Sequence, residues 1–300
     1  MDHAGLLRKG ASPLLVALSM LVVYVVWGST YLFIRFAVEG YPPLFFPGVR
    51  FVAAGLLMGG VLLLRGHPRP SRRQLRNALL VGMLLLNGGN GFVVMAERSV
   101  GSALSATMLG TVPLWTGLFA YFFGHRPAPA QWLGMVVGFA GVVVLKMSGD
   151  FAASPAGAVM LLLAAASWAL GTVLGSRLDL PKGVMSGAVQ MVLAGILFLA
   201  GSAAAGEHWT LAAPLRAQLA LLYLLLFGSV LAFTAYIYLT QHVSPTMATS
   251  YAYVNPIIAA LLGVYLGGER FGANDVLAMI LVLAGVALIL GFRRPRPAPA

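Results

Sequence analysis

The sequence contains no cysteine, and only 9% of its 300 residues are charged. The absence of cysteine excludes disulfide frameworks, thiol nucleophiles, iron–sulfur clusters and cysteine-based zinc sites. A soluble chain carries about 25% charged residues because its surface must face water, whereas here 60% of the residues are hydrophobic and the mean hydropathy is +0.90. The scarcity of charge therefore excludes an ordinary soluble domain and a disordered chain, and it leaves a polytopic membrane protein.

Long apolar stretches, separated by proline, glycine or charged residues, indicate the number of membrane spans. A spanning helix needs about 20 apolar residues, so about ten helices account for two thirds of the chain. The sequence predicts an all-α polytopic membrane protein with transmembrane helices at 13–36, 44–64, 75–97, 102–123, 130–146, 155–176, 184–204, 216–240, 246–267 and 273–291. The first segment is predicted to be a retained anchor, since its apolar run exceeds the roughly 7–15 residues of a cleavable signal peptide.

The net charge of +11 would favour nucleic-acid binding in a soluble protein. Here the basic residues flank apolar segments, so we expect no nucleic-acid partner and interpret the charge as membrane topology. Thirteen of the 19 Lys and Arg residues fall on the side of both termini and of the 65–76 loop, and six fall on the other side. The positive-inside rule then predicts that both termini are cytoplasmic.

The two halves of the chain resemble each other at an offset of about 141–143 residues, with Pro113 matching Pro256 and Trp27 matching Trp168. Because five helices is an odd number, the second copy enters the membrane from the opposite side, as in many secondary transporters. The predicted units are a first five-helix repeat at 1–148, an inverted second repeat at 149–292 and a disordered cytoplasmic tail at 293–300.

Several motifs carry a resemblance to a known family. They are Trp27-Gly28-Ser29-Thr30-Tyr31, Arg50-Phe51, Ala96-Glu97-Arg98, Gly110-Thr111-Val112-Pro113-Leu114 and Ser250-Tyr251-Ala252-Tyr253-Val254-Asn255-Pro256. In order and spacing the chain resembles EamA-type members of the drug/metabolite transporter superfamily, and in particular bacterial inner-membrane exporters of amino acids and related metabolites. This resemblance implies ten helices, cytoplasmic termini, two inverted repeats and export by alternating access.

Acidic and histidine residues avoid the middle of the predicted helices. All eight carboxylates and all five histidines lie at helix ends, in loops or in the N-terminal tail. Intramembrane proton relays normally use such groups at depth, so tight proton coupling is disfavoured and facilitated export down a solute gradient is predicted. The same absence argues against hydrolytic chemistry in the membrane, and we expect no catalytic residue, metal or other cofactor.

Polar and aromatic side chains that do lie at depth are the candidate substrate-binding residues. They are Trp27, Ser29, Thr30, Tyr31, Asn87, Asn90, Trp115, Trp168, Tyr251 and Asn255. Buried amides and hydroxyls need hydrogen-bond partners, so these residues face either a neighbouring helix or an aqueous cavity. The alternative to a substrate pocket is helix packing, which is also the interpretation of spacings such as Gly55/Gly59 and Gly134/Gly138.

The candidate gating residues are Arg35, Arg50, Glu97, Pro113 and Pro256. The three charged residues lie near the predicted external ends of the first three helices, where they either snorkel or form ion pairs that break and reform, with Arg50 also a candidate for meeting a substrate carboxylate. The matched prolines free backbone carbonyls at depth, which indicates a binding site between two inverted halves or, alternatively, kinks needed only for packing.

The sequence thus predicts a non-enzymatic secondary exporter of small metabolites, amino acids in particular, in the bacterial inner membrane. Its partners are a small-molecule substrate and membrane lipid, and it is expected to be a monomer or a weak homodimer. Two alternatives stay open: a lipid-handling protein of the scramblase or flippase type, and a nucleotide-sugar or sugar-phosphate antiporter.

Overall fold

The computed structural model describes residues 12–124, 129–145, 154–210, 212–243, 251–270 and 272–291. These residues form helices and connecting turns with no β-strand among them, which confirms the all-α prediction. The helices are α1 (Pro13–Val38), α2 (Phe45–Leu64), α3 (Arg72–Ala96), α4 (Ser102–Phe122), α5 (Pro129–Leu145), α6 (Pro155–Gly175), α7 (Val184–Ala204), α8 (215–242), α9 (Tyr251–Tyr265) and α10 (Ala273–Gly291).

Seven of these helices, α1 to α4 and α6 to α8, are long and apolar enough to cross a membrane. The other three contain shorter apolar segments, at Gln131–Val144, Val254–Tyr265 and Ala273–Leu288. The helix ends agree with the predicted segments to within three residues, except at the start of α9, because residues 244–250 lie outside the described residues. That all of these helices cross the membrane in two inverted repeats stays a prediction.

Three helices contain a π-helical segment near the middle of their length. These segments are Val23–Trp27 in α1, Met83–Asn90 in α3 and Leu224–Leu231 in α8. The wider turn of a π-helix changes which carbonyls are paired along the helix, and such segments occur frequently at functional sites. The segments of α3 and α8 have the same length and are separated by 141 residues, the offset at which Trp27 matches Trp168.

The helices of the two halves pack in reciprocal pairs. Helix α1 contacts α8 and α9, and the corresponding helix α6 contacts α3 and α4. Between halves, α2 packs along α7 and α5 packs along α10. Gly55 of α2 shows how close the first pair is, since a Cβ there would lie 2.6 Å from the carbonyl oxygen of Ala188 in α7. Gly55 therefore serves helix packing.

The largest apolar core lies at one end of the bundle, where α1 and α3 end and α2 and α4 begin. We call this end, which carries Arg35, the Arg35 end. Its buried side chains include Leu32, Ile34, Phe46 and Leu224, none of which is more than 1% exposed. A smaller cluster joins the other half of α1 to α8 through residues such as Val23 and Leu239.

Candidate functional site

The middle of α1 faces the π-helical segment of α8. The indole Nε1 of Trp27 donates a hydrogen bond to the carbonyl oxygen of Gly228, 3.3 Å away. The hydroxyl oxygens of Ser29 and Tyr223 lie 2.7 Å apart, and the ring of Tyr223 stacks on Phe33 with centroids 3.9 Å apart. Trp27 therefore contacts the π-helical backbone of the other half of the chain, and Ser29 contacts the residue just before it.

Arg50 reaches this same segment from α2, and we call the residues that meet here the Arg50 cluster: Trp27, Ser29, Arg50, Tyr223 and Ser229. Its side chain is 3% exposed, its Nε donates to Ser229 Oγ at 2.9 Å, and its guanidinium lies 4.9 Å from the ring centroid of Phe51. Its Nη1 atom is buried without a hydrogen-bond acceptor, and none of the ion pairs found among the described residues includes Arg50. Arginine is almost never fully buried unless it is paired, so this guanidinium lacks an anionic partner.

Two aromatic rings contact the indole of Trp27 on the side away from the Arg35 end. The ring centroids of Trp27 and Tyr236 are 5.1 Å apart, those of Trp27 and Tyr251 are 5.0 Å apart, and those of Tyr236 and Tyr251 are 5.9 Å apart. Such edge-to-face and tilted pairs present both ring faces and ring edges to a guest. This aromatic cluster can contact an apolar side chain or an ammonium group.

A corresponding cluster, the α3 cluster, occurs at the π-helical segment of α3 and contains Asn87, Gly89, Ser167 and Trp168. Trp168 of α6 packs against Gly89, where a Cβ would lie 2.6 Å from the indole, and Ser167 Oγ donates to the carbonyl of Leu84 at 2.7 Å. Asn87 Nδ2 donates to the carbonyl of Ala194 in α7 at 3.0 Å. The Oδ1 atom of Asn87 is buried without a donor, so this cluster offers an acceptor where the Arg50 cluster offers a donor.

The two matched prolines lie in helices that touch each other. Helix α4 is interrupted at Gly110 and Thr111 and resumes at Val112, with Pro113 in the first turn of the new segment. Pro256 lies inside α9, and its Cγ is 3.4 Å from the position of a Cβ on Gly110. The sequence-predicted interruptions are thus in contact across the two halves.

The remaining predicted binding residues lie apart from the Arg50 cluster or at its margin. Trp115 packs within the first half of the chain, 5.1 Å from Phe139 of α5 between ring centroids. Asn90 and Asn255 each bury an Oδ1 atom without a donor. Thr30 Oγ1 donates to the carbonyl of Val26 at 2.8 Å, which satisfies its hydroxyl within α1.

Charged side chains meet at the Arg35 end. Arg35 forms an ion pair with Glu269, which lies between α9 and α10. Glu269 also accepts hydrogen bonds from the backbone nitrogen and hydroxyl of Ser102, both at 2.7 Å, and from the backbone nitrogen of Ala103 at 3.1 Å. The carboxylate therefore caps the N-terminus of α4, where negative charge is favoured, and links it to α1.

Glu97 follows α3 directly and lies beside this ion pair. It is 3% exposed, and neither carboxyl oxygen has a hydrogen-bond donor. Burial raises the pKa of the Glu97 carboxyl well above its usual range, and the negative charge of Glu269 raises it further. Arg35 and the Ser105 hydroxyl oppose this shift, although Ser105 donates its hydrogen bond to the carbonyl of Gly101.

Sequence reasoning missed several residues of these clusters. Ser229 and Gly228 lie in the apolar run Leu224–Leu231, where Ser229 is the one polar side chain. The available signal was the 141-residue offset between the two halves, at which Gly228 aligns with Asn87 and Ser229 aligns with Gly88. Glu269 appeared in the sequence as a loop acid, and no spacing indicated its pairing with Arg35.

An all-helical bundle with long apolar helices and with polar side chains buried halfway along them defines a multi-pass membrane protein with intramembrane polar sites. The model of the EamA-like transporter family matches residues 14–147 and, again, residues 155–291. The chain therefore belongs to the EamA-like transporter family, as its motifs predicted. The first match spans α1 to α5, and the second spans α6 to α10.

Relatives support this assignment over nearly the whole chain. The "Uncharacterized inner membrane transporter YedA" of Escherichia coli (strain K12) is 47% identical over 275 residues, which cover 91% of this chain and 90% of the relative. The "Uncharacterized transporter YdfC" of Bacillus subtilis (strain 168) is 24% identical over 93% of this chain and 92% of its own length. A solved structure, "Crystal structure of protein", shares the fold with a TM-score of 0.64 at 19% identity, over 93% of this chain and 98% of the other.

Proposed function

We propose that this protein exports small metabolites, amino acids in particular, across the bacterial inner membrane by alternating access. Two inverted five-helix repeats rock against each other around a central cavity between them. The Arg50 cluster and the α3 cluster line the two sides of that cavity. The protein acts as a monomer or a weak homodimer and uses no cofactor.

The reciprocal packing of the two halves supports this mechanism. Helices α1 and α6, which correspond in the two halves, each pack on the third and fourth helix of the opposite half, and the π-helical segments of α3 and α8 correspond in position. Gly66 and Gly206, at the ends of α2 and α7, both have positive φ, 79° and 69°. Two repeats with the same internal packing can each adopt the other's conformation, which changes the side of the membrane to which the cavity opens.

The unpaired guanidinium of Arg50 is the observation that carries the substrate assignment. A buried cation without a counter-ion is unfavourable, and a bound carboxylate would supply both the missing charge and an acceptor for Nη1. One guanidinium flanked by neutral hydroxyl groups matches a single negative charge, whereas a phosphate dianion calls for more cationic groups. This argument favours a carboxylate over the nucleotide-sugar or sugar-phosphate alternative.

Other groups in the interior suit the rest of an amino acid. The unpaired Oδ1 atoms of Asn87, Asn90 and Asn255 can accept hydrogen bonds from an ammonium group. The rings of Trp27, Tyr236 and Tyr251 can contact an apolar or aromatic side chain. Carboxylate, ammonium and side chain thus each have a matching group among the buried residues.

The proposed direction of transport requires the termini in the cytoplasm and the Arg35 end at the periplasm. We expect a single cysteine at His67, between α2 and α3, to react with a membrane-impermeant maleimide only after the inner membrane is opened. A single cysteine at Trp209, between α7 and α8, should react in intact spheroplasts. Both positions are available because the natural sequence contains no cysteine. The reverse labelling pattern would contradict the proposed orientation.

Flux into proteoliposomes tests the transport function. We expect labelled amino acids, including Met, Thr and aromatic ones, to enter protein-containing vesicles faster than empty ones, with saturation and with competition by unlabelled substrate. A sugar phosphate in the same assay tests the antiporter alternative, and a fluorescent lipid tests scrambling. Fast lipid scrambling without entry of any amino acid would overturn the exporter proposal.

A further inference from the structure

We propose that Glu97 is a proton-binding site that controls the Arg35 end of the transporter. With the proton bound, Arg35 stays on Glu269 and ties α1 to the segment between α9 and α10. When the proton leaves, Arg35 transfers to the Glu97 carboxylate and this tie is released. Such a site goes beyond the proposed export of metabolites, because it makes the cycle sensitive to protons where the sequence predicts facilitated export.

The burial of Glu97 requires a neutral carboxyl group in the conformation described. A buried, ionised carboxylate without hydrogen bonds is strongly unfavourable, and neither oxygen of Glu97 has a donor at a side-chain position that is 3% exposed. Water supplies the proton when the site opens, and protonation converts the carboxylate to the carboxylic acid with no other change in bonding. Glu97 is therefore a proton acceptor that is occluded in this conformation.

The surroundings of Glu97 leave Arg35 as its available cation. Among the described residues, the charged and titratable groups near Glu97 are Tyr31 and Arg35 of α1, Glu269 beyond α9, and the adjacent Arg98. Arg98 is exposed. Helix α4 contributes the neutral hydroxyl of Ser105, and α6, which packs on the end of α3, has no titratable side chain.

Glu269 keeps hydrogen-bond donors when Arg35 leaves, which makes the transfer feasible. Its carboxylate accepts two backbone N–H groups and one hydroxyl at the N-terminus of α4, from Ser102 and Ala103. These donors and the helix dipole stabilise a negative charge at this position without the arginine. Glu97 has no such donors, so the same arginine stabilises an ionised Glu97 far more than it stabilises Glu269.

The distance between two spin labels across this tie measures whether it opens. The labels are placed on cysteines introduced at Val38, at the end of α1, and Leu266, just past α9, because neither substitution removes a charge. In nanodiscs we expect a single short distance at low pH and a longer population as the pH rises through the Glu97 titration. Glu97→Gln should hold the short distance at every pH, since glutamine mimics the neutral acid.

The matched control is Glu39→Gln, which removes an acid of the same end that is half exposed and 3.6 Å from Arg216. This variant should keep the pH-dependent distance change of the labelled parent. A parent whose distance does not respond to pH would overturn the proposal. So would a Glu97→Gln variant that responds as the parent does.

The difference between the infrared spectra of the parent and of Glu97→Gln isolates the band of the protonated Glu97 carboxyl group. It therefore measures the protonation of Glu97 directly. Glu269→Gln should lower the pH at which Glu97 titrates, because it removes a like charge and frees Arg35. Arg35→Gln should raise it. A Glu97 that stays ionised throughout, or shifts of the opposite sign, would contradict a proton site controlled by Arg35.

Flux measurements connect the proton site to transport and rest on the proposed function. In proteoliposomes, a pH gradient should increase the net flux of a transported amino acid several-fold, and this increase should disappear in Glu97→Gln, whose Arg35 end stays tied, and persist in Glu39→Gln. Equal net flux with and without the gradient would overturn the coupling. If no amino acid enters at all, the export proposal fails, and the two spectroscopic measurements still decide the role of Glu97.

Discussion

Replacing Arg50 by alanine is expected to abolish saturable transport of carboxylate-bearing solutes while leaving the protein folded. Losing one partner of a buried, hydrogen-bonded charge pair costs about 2–5 kcal/mol, which corresponds to binding that is about 30-fold to several thousand-fold weaker. Since Arg50 is unpaired in the structure, the substrate-free protein loses one hydrogen bond to Ser229 and a buried, uncompensated charge. Its thermal stability in the absence of substrate should therefore stay the same or rise.

The combination of unchanged folding and lost transport separates a binding role from a structural one. Increasing concentrations of a transported amino acid should raise the melting temperature of the parent protein, because a ligand that binds the native state stabilises it. The Arg50→Ala variant should show no such increase. A variant that melts lower and still responds to substrate would indicate that Arg50 supports the fold instead.

Conservative and distant substitutions provide the controls. Arg50→Lys keeps the positive charge but loses the planar fork of donors, so it should retain partial transport with a raised KM. Arg216→Ala removes an arginine of α8, which lies 3.5 Å from the ring centroid of Phe36, and should leave transport unchanged. Full transport by Arg50→Ala would contradict the carboxylate site.

The helices could be predicted from sequence because the membrane imposes a simple rule on length and polarity. Seven of the described helices are long and apolar enough to span the hydrocarbon, and a single segment there can satisfy its own backbone hydrogen bonds only as a helix. The ends of the helices followed from proline, glycine and charge. The 141-residue offset at which Trp27 matches Trp168 is also the offset between the π-helical segments of α3 and α8.

The sites could not be predicted in the same way because they depend on contacts between distant parts of the chain. Arg50 and Ser229 are 179 residues apart, and the long arginine side chain carries its charge away from the helix end where the sequence places it. Glu97 lies at the end of α3, close to the predicted helix end, but it is 3% exposed, so its position at a helix end did not imply exposure to water. Position along a helix therefore predicted depth for backbone atoms better than for the charged groups of long side chains.

Replacing Gly285 by valine is expected to be strongly destabilising, because α5 and α10 approach each other through their backbones at this point. A Cβ on Gly285 would lie 2.5 Å from both the carbonyl oxygen of Gly134 and the backbone nitrogen of Gly138. Backbone atoms of a helix cannot move aside as a flexible side chain can, so the two helices must separate. Overpacking of this kind typically costs about 1–3 kcal/mol, and sometimes more.

The matched control is Gly60→Val in α2, where no atom lies within 4 Å of the added Cβ. Both variants place valine in an apolar helix, so the difference between their melting temperatures in detergent isolates the contact between α5 and α10. Gly285→Val should melt clearly below Gly60→Val. Equal melting temperatures would show that the two helices do not meet through these glycines.

The same pair of variants separates the scaffold from the binding site. Helices α5 and α10 pack on each other and on α4 and α9, whereas the contacts of Arg50 come from α2 and α8. Gly285→Val starts from a lower melting temperature, and a transported amino acid should raise that melting temperature by as many degrees as it raises the melting temperature of the parent. This outcome is the opposite of the one expected for Arg50→Ala, which should keep its stability and lose its response. If a transported amino acid does not raise the melting temperature of Gly285→Val, the packing of α5 on α10 controls the geometry of the Arg50 cluster. The two halves are then more tightly coupled than their separate contacts imply.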